Sequence, residues 1–169
     1  LEASETAFLE AVDLKPAPIE AWFGLFQIKQ ALKNTEQAAE IIDRIIEVAP
    51  TNSQFLALRA SLELERGKHS AAIKYLEAAV RNDPISESFW IALLTTYSLS
   101  MPPNTVLQRL RALSVPNPAT LTVVALLAKA ELAAGNTSDA ETRIRDFLHG
   151  APDDPDRLLL LAKFLTEIG

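Results

Sequence analysis

The sequence has no cysteine, only five glycines, two histidines and no excess of positive charge. Without cysteine there is no disulfide, no thiolate metal site and no cysteine nucleophile. Scarce glycine beside abundant Ala, Leu and Glu favours helix, because these residues lose little side-chain freedom there. Lysine and arginine number 16 against 22 aspartates and glutamates, a formal net charge of −6. The two signs are mixed along the chain, which favours solubility but offers nucleic acid no basic face. Unbroken apolar stretches such as Leu158 to Ala162 are far too short to cross a bilayer, so no direct membrane insertion by this segment is expected. There is no Ser–His–Asp order, glycine-rich phosphate loop or zinc spacing. His69 and His149 read as surface residues in a turn and at a helix end, too far apart in the chain to share a metal. Asp153, Asp154 and Asp156 surround Pro155 as a helix start does, with Asp154 the cap. The expectation is a non-enzyme with no cofactor and no metal.

What the chain does have is a period. Pro16, Pro50, Pro84, Pro118 and Pro152 recur at a spacing of 34 residues. Other columns keep the same step. Phe8, Ile42, Leu76, Leu110 and Ile144 are apolar, as are Trp22, Leu56, Trp90, Val124 and Leu158. A small-residue column reads Ser4, Ala38, Ala72, Val106 and Ala140. Pro18, Asn52, Ser86, Thr120 and Asp154 stand before the first helix of each unit; four of them have a side-chain oxygen able to cap it. Within a unit the apolar residues return at helical spacing, with breaks at 33–35, 67–69 and 135–137. Gly67 and Gly135 suit the left-handed end of a helix, and each proline then bars the second helix from continuing. The unit is helix, turn, helix, turn. One such hairpin cannot bury its apolar side alone, so neighbours must stack.

The period, the early large residue (Trp22, Trp90), the alanine near the start of the second helix (Ala38, Ala72, Ala140) and the closing proline together resemble tetratricopeptide repeats (TPR). The resemblance implies an all-α, right-handed α-solenoid of stacked antiparallel helix hairpins, a TPR superhelix. Residues 1–169 then form one array. A partial repeat (second helix) occupies 1–18, whole units run 19–52, 53–86, 87–120 and 121–154, and a partial repeat (first helix) occupies 155–169. The chain reads as a slice of a longer array. The third unit is irregular: Met101, Pro102, Pro103 and Asn104 replace the turn. Its second helix is expected to start late, capped by Asn104, and to stop by Ser114. Arg109 and Arg111 on that helix have no acid nearby in the sequence and read as a solvated patch.

The resemblance also implies a partner surface. In such arrays the first helices line a concave face, here Phe23 and Gln27, then Ala57, Leu58 and Ser61. It continues through Ile91, Ala92 and Thr95 to Ala125, Leu126 and Lys129, and ends at Leu159, Leu160 and Lys163. One TPR subclass grips a peptide carboxylate with basic residues on this face. The matching column reads Gln27, Ser61, Thr95, Lys129 and Lys163, without the clamp in the first three units. A neutral groove with apolar steps suits an amphipathic or extended segment of another protein. The competing reading is a structural spacer that self-associates through exposed array ends, while an RNA-binding repeat would want a basic groove. The sequence is also similar in style to bacterial arrays that assemble envelope and exopolysaccharide-secretion machinery. That suggests periplasm or cell envelope, with cytoplasm the alternative.

The small-residue column makes a direct prediction. Ala72→Leu should cost about 1–3 kcal/mol by overpacking. Ala39→Leu should cost less, because Ala39 shares its column with Ile73 and Leu107. The two denaturant midpoints measure the difference.

Overall fold

The computed structural model describes residues 2–14, 18–113 and 120–149, with Pro155, Leu158, Leu159, Ala162 and Thr166. Among these residues all regular structure is helical. The helices are α1 (Glu2–Val12), α2 (Ile19–Ala31), α3 (Thr35–Val48), α4 (Ser53–Glu65) and α5 (His69–Asn82), then α6 (Glu87–Ser100), α7 (Pro103–Arg111), α8 (Leu121–Ala133) and α9 (Thr137–His149). First helices start at Ile19, Ser53, Glu87 and Leu121, and second helices at Thr35, His69, Pro103 and Thr137, all in step with the prolines. The chain forms two compact units, Leu1–Asn82 and Asp83–Gly169. In the first unit each helix packs on the next from α1 to α5. In the second, α6 packs on α7 and α8, α7 on α8, and α8 on α9.

The two kinds of helix differ in where their apolar residues lie. Second helices such as α3 carry a single apolar stripe, with charged residues opposite. First helices such as α6 and α8 spread apolar residues round most of their circumference. A helix of the second sort needs cover on several sides, and stacking supplies much of it. Ala38, Ala72 and Ala140 are fully buried, as the small-residue column requires. Ala39 is buried too, at 4% exposure, and its column mates Ile73 and Leu107 are large and buried.

Local signals end the helices. Lys33, Gly67 and Gly135 all have positive φ, at 56°, 70° and 78°. Around each the same double bond forms: Lys33 N donates to Gln30 O and Asn34 N to Lys29 O, both at 2.9 Å. Gly67 and Lys68 repeat it on Leu64 and Glu63, and Gly135 and Asn136 on Leu132 and Glu131. This closure satisfies carbonyls the last turn would otherwise leave bare. At helix starts, Asn52 Oδ1 accepts from the amides of Gln54 and Phe55, and Thr120 Oγ1 from Val123. Ser86 departs from its expected capping role: its hydroxyl pairs with Ser88 Oγ at 3.0 Å, and its side chain makes no cap bond.

The third unit corrects a second expectation. Its second helix does not start late with Asn104 as cap. Pro102 holds the cap position and Pro103 the first turn, where a fixed φ is already helical. What changes is the turn before it. Met101 occupies the column of Lys33, Gly67 and Gly135 but precedes a proline, whose ring pushes it into extended backbone at φ −141°, ψ 152°. The left-handed closure is lost there, and α7 ends early at Arg111. His69 is corrected as well. It opens α5, and its Nδ1 is enclosed without a hydrogen-bond partner among the described residues. The expected capping by Asp154, the aspartates around it and most of the final first helix lie outside the described residues.

Gly24, inside α2, has a packing reason. A Cβ there would run into the ring of Phe8 on α1. Glycine in mid-helix costs roughly 0.5–1 kcal/mol relative to alanine, and here it lets the Phe8 ring lie directly on α2 backbone. Gly24→Leu should therefore detach α1 at a cost of about 1–3 kcal/mol, with faster amide exchange in α1 than in α3 or α4. Phe8→Ala in the same chain should recover part of the loss.

Candidate functional site

The twelve described positions of the expected partner surface are all at least partly exposed. They are not equal. In the first unit Phe23 stacks on Phe26 at 5.9 Å and tilts against Phe55 of α4 at 5.9 Å, so it packs between adjacent first helices. Leu58 also packs against the first unit's core. The Ser61 hydroxyl donates to Leu58 O at 2.8 Å, turning back onto its own helix. Gln27 faces solvent, and Ala57 forms a half-buried step.

In the second unit Ile91 is 46% exposed, Thr95 and Lys129 face solvent, and Leu126 is half-buried. Thr95, Leu126 and Lys129 line one open cleft of about 460 Å³; Ile91 lies outside it. Leu94, Ser98 and Leu99 of α6 join them, with Ala130 and Ala133 of α8. The irregular turn contributes Met101, Pro103 and Val106. Lys163 lies outside the described residues.

Arg111 differs from its expected isolation. Its Nη2 lies 3.1 Å from Asp139 Oδ2 on α9, joining two helices that α8 separates in the sequence. Both side chains are more than half exposed, so the pair adds little stability.

Sequence reasoning missed a buried polar column. Lys29, Glu63, Tyr97 and Glu131 share one register position near the end of successive first helices. Tyr97 is fully buried, while Glu63 and Glu131 are 3% and 4% exposed. Lys29 pairs with Glu5 of α1. Glu131 takes both forks of Arg143 on α9, at 2.6 and 3.0 Å. Glu63 accepts from Arg59, whose Nε also donates to Asp43 Oδ1 on α3 at 2.7 Å. Arg59 further stacks over Tyr75 on α5, 5.2 Å from the ring centre. One guanidinium thus ties α3, α4 and α5. Two glutamates separated by two periods were the available signal.

Burial by itself would raise the Glu63 carboxyl, but the Arg59 hydrogen bond and charge overcome it and leave it below the usual carboxylate range. Elsewhere, hydrogen bonds from Thr122 and Thr120 lower Glu87, joining α6 to α8. Among the described residues no group of three or more His, Asp and Glu could hold a metal ion, and no helix could cross a membrane.

These hairpins define a helical-repeat protein of the scaffold class. Residues 3–62 and 53–86 each match a family model described as tetratricopeptide repeat. The chain belongs to the tetratricopeptide-repeat family. A thermophilic TPR protein of Thermus thermophilus aligns with 98% of this chain and 90% of its own, at 21% identity and TM-score 0.52. YrrB, a TPR protein with an unusual peptide-binding site, aligns over 93% and 81%, at 13% identity and TM-score 0.57. The Naa15/Naa10 structure bound to HypK-THB aligns with 97% of this chain but 26% of its own, at 18% identity and TM-score 0.62. No curated protein matches in sequence. The chain is thus a protein-interaction scaffold at the level its family defines, a kind of fold that is generally non-catalytic.

The Glu63 carboxylate makes stability depend on pH. Its depressed folded-state pKa contributes stability that is complete above the unfolded value of about 4.3 and is lost as pH falls through the folded value. Glu63→Gln should lower stability at neutral pH by about 2–3 kcal/mol, the worth of a charged hydrogen bond. The gap between wild type and variant should close below the usual glutamate range. Urea titrations from neutral to acidic pH measure it.

Proposed function

We propose that the chain holds a segment of a partner protein against the exposed faces of its first helices. The observation that carries this reading is on α6. That helix is apolar round most of its circumference, yet Ile91 and Leu99 are 46% and 72% exposed. Apolar side chains left uncovered beside the Thr95–Leu126–Lys129 cleft are what a docking partner would bury. In the first unit Gln27, Ala57, Leu58 and Ser61 offer the corresponding first-helix positions, with Phe23 packed between α2 and α4. The fold relative YrrB, which has a peptide-binding site, lends support to a peptide-like ligand here. A neutral or apolar segment fits, since the face has no basic clamp on α2, α4 or α6. Lys163 would extend the face.

The self-association reading draws on Leu9 near the start of the chain and Leu158 and Leu159 near its end, each about half exposed. Concentration-dependent dimers without any ligand would favour it. The envelope-assembly setting rests on the resemblance in sequence style.

Thr95→Glu places a charge against the apolar wall and should weaken binding of the native partner strongly, because docking a neutral or apolar segment would desolvate that charge. Reversing Arg109 and Arg111 together should change mainly the salt dependence. Titrations of wild type and both variants against a partner named by pull-down decide it. Normal binding by Thr95→Glu, with loss in the arginine variant, would move the site to α7.

A further inference from the structure

We infer that the groove between α7 and α9 binds an aromatic side chain of a partner protein, stacked on the Arg143 guanidinium. The groove is walled by second helices and shares no lining residue with the first-helix cleft, so it stands apart from the docking face proposed above.

The two units contain the same three-helix groove, two periods apart. In α3, α4 and α5 the chain fills it from within. Arg59 on α4 donates to Asp43 and Glu63 and lies over the Tyr75 ring, 5.2 Å from its centre. Only 11% of the Arg59 side chain stays exposed. Two periods on, the corresponding positions in α7, α8 and α9 hold Arg111 for Asp43, Leu127 for Arg59, Glu131 for Glu63 and Arg143 for Tyr75. The buried glutamate is kept, and so is its guanidinium, now supplied by α9 in place of the first helix. The ring has no counterpart. Among the described residues no aromatic side chain lies on Arg143, and 33% of its side chain is exposed.

Where the ring is missing, an open cleft of about 420 Å³ remains. It is lined by Leu107 and Leu110 of α7, Leu113 just beyond that helix and Leu127 of α8, with Arg111 and Arg143 beside them. A cavity of roughly 150 Å³ already admits a benzene ring. The bonds from Arg143 to Glu131 use N–H groups at the guanidinium edge. Such bonds lie in the plane of the group and leave its face available for stacking. Arg59 shows both uses at once in this same chain. An aromatic ring matches each part of the cleft. Its apolar body leaves water against the leucines, and its negative face meets the cation. An aliphatic side chain would satisfy only the leucines.

The probes are amidated pentapeptides that differ only in their central residue, Tyr, Trp, Leu or Ala, titrated into the isotope-labelled full chain. The Tyr and Trp peptides should move the Arg143 Nε–H resonance by ring current. They should bind at least about tenfold more tightly than the Leu peptide, the scale of a partly desolvated stack. Thr142→Trp, at an exposed position lining the cleft, fills it and should weaken the Tyr peptide at least about tenfold. The triple variant Leu127→Arg, Arg143→Tyr, Arg111→Asp gives this groove the residues of the first one, and should also lose the Tyr peptide. Unchanged helical circular dichroism and melting temperature verify that the variants fold; where the triple variant does not, Thr142→Trp decides alone. Thr95→Glu, in the first-helix cleft, should leave the Tyr peptide unaffected. Equal binding of the Tyr and Leu peptides, no binding at millimolar concentration, or a Tyr peptide indifferent to Thr142→Trp would each overturn the inference. Loss with Thr95→Glu alone would overturn it too, and assign aromatic binding to the first-helix surface.

Discussion

The single-methyl side chains of Ala38, Ala72 and Ala140 let the second helix of a hairpin lie against the first, and the remaining architecture is arranged around that approach. Each is fully buried at the same register position. With the helices this close, larger buried residues fill out the same hairpins: Ile42 and Ile45 beside Ala38, Leu76 beside Ala72 and Ile144 beside Ala140. Two short helices still leave apolar surface, which is why first helices are apolar round most of their circumference. Stacking covers much of that surface. On α6 it leaves Ile91 and Leu99 exposed.

Charge inside the stack has a different use. A buried ion pair contributes little net stability, because desolvation offsets the attraction, but breaking one is costly. Arg59 with Asp43, Glu63 and Tyr75, and Arg143 with Glu131, each join helices that must meet in one rotation. A helix turned away from that orientation would strand a carboxylate in an apolar interior. The hydrophobic columns supply driving force, while the buried polar column satisfies its charges only when these helices meet. Trp90 adds a neutral example: its indole donates to Pro84 O at 2.8 Å, anchoring the closing proline to the helix that follows.

Proline both punctuates this chain and marks its exception. The periodic prolines end second helices in step. The additional pair at Pro102 and Pro103 acts on the turn within a hairpin, where the other units rely on a left-handed residue. Lys33 can adopt that backbone at some strain; Met101, preceding a proline, stays extended. A local rule of covalent geometry thus changes the turn of one hairpin without disturbing the start of either helix.

Helix positions and the TPR family were legible in the sequence because the forces behind them are local or strictly periodic. Prolines, caps at Asn52 and Thr120, and the Ala38–Ala72–Ala140 column each act within a turn or recur at a fixed step. The failures lay where one side chain chose between partners. Ser86 bonds Ser88 instead of capping its helix, and Arg111 meets Asp139 across a gap of 28 residues. Phe23 is held between Phe26 and Phe55 although its column reads as surface. The cleft likewise draws on α6, the turn, α7 and α8, and no single stretch contains it. Backbone preference and hydrophobic period are properties of a segment and can be read along the chain. Partner choice and the shape of a cavity depend on distances between segments, which only packing in three dimensions decides.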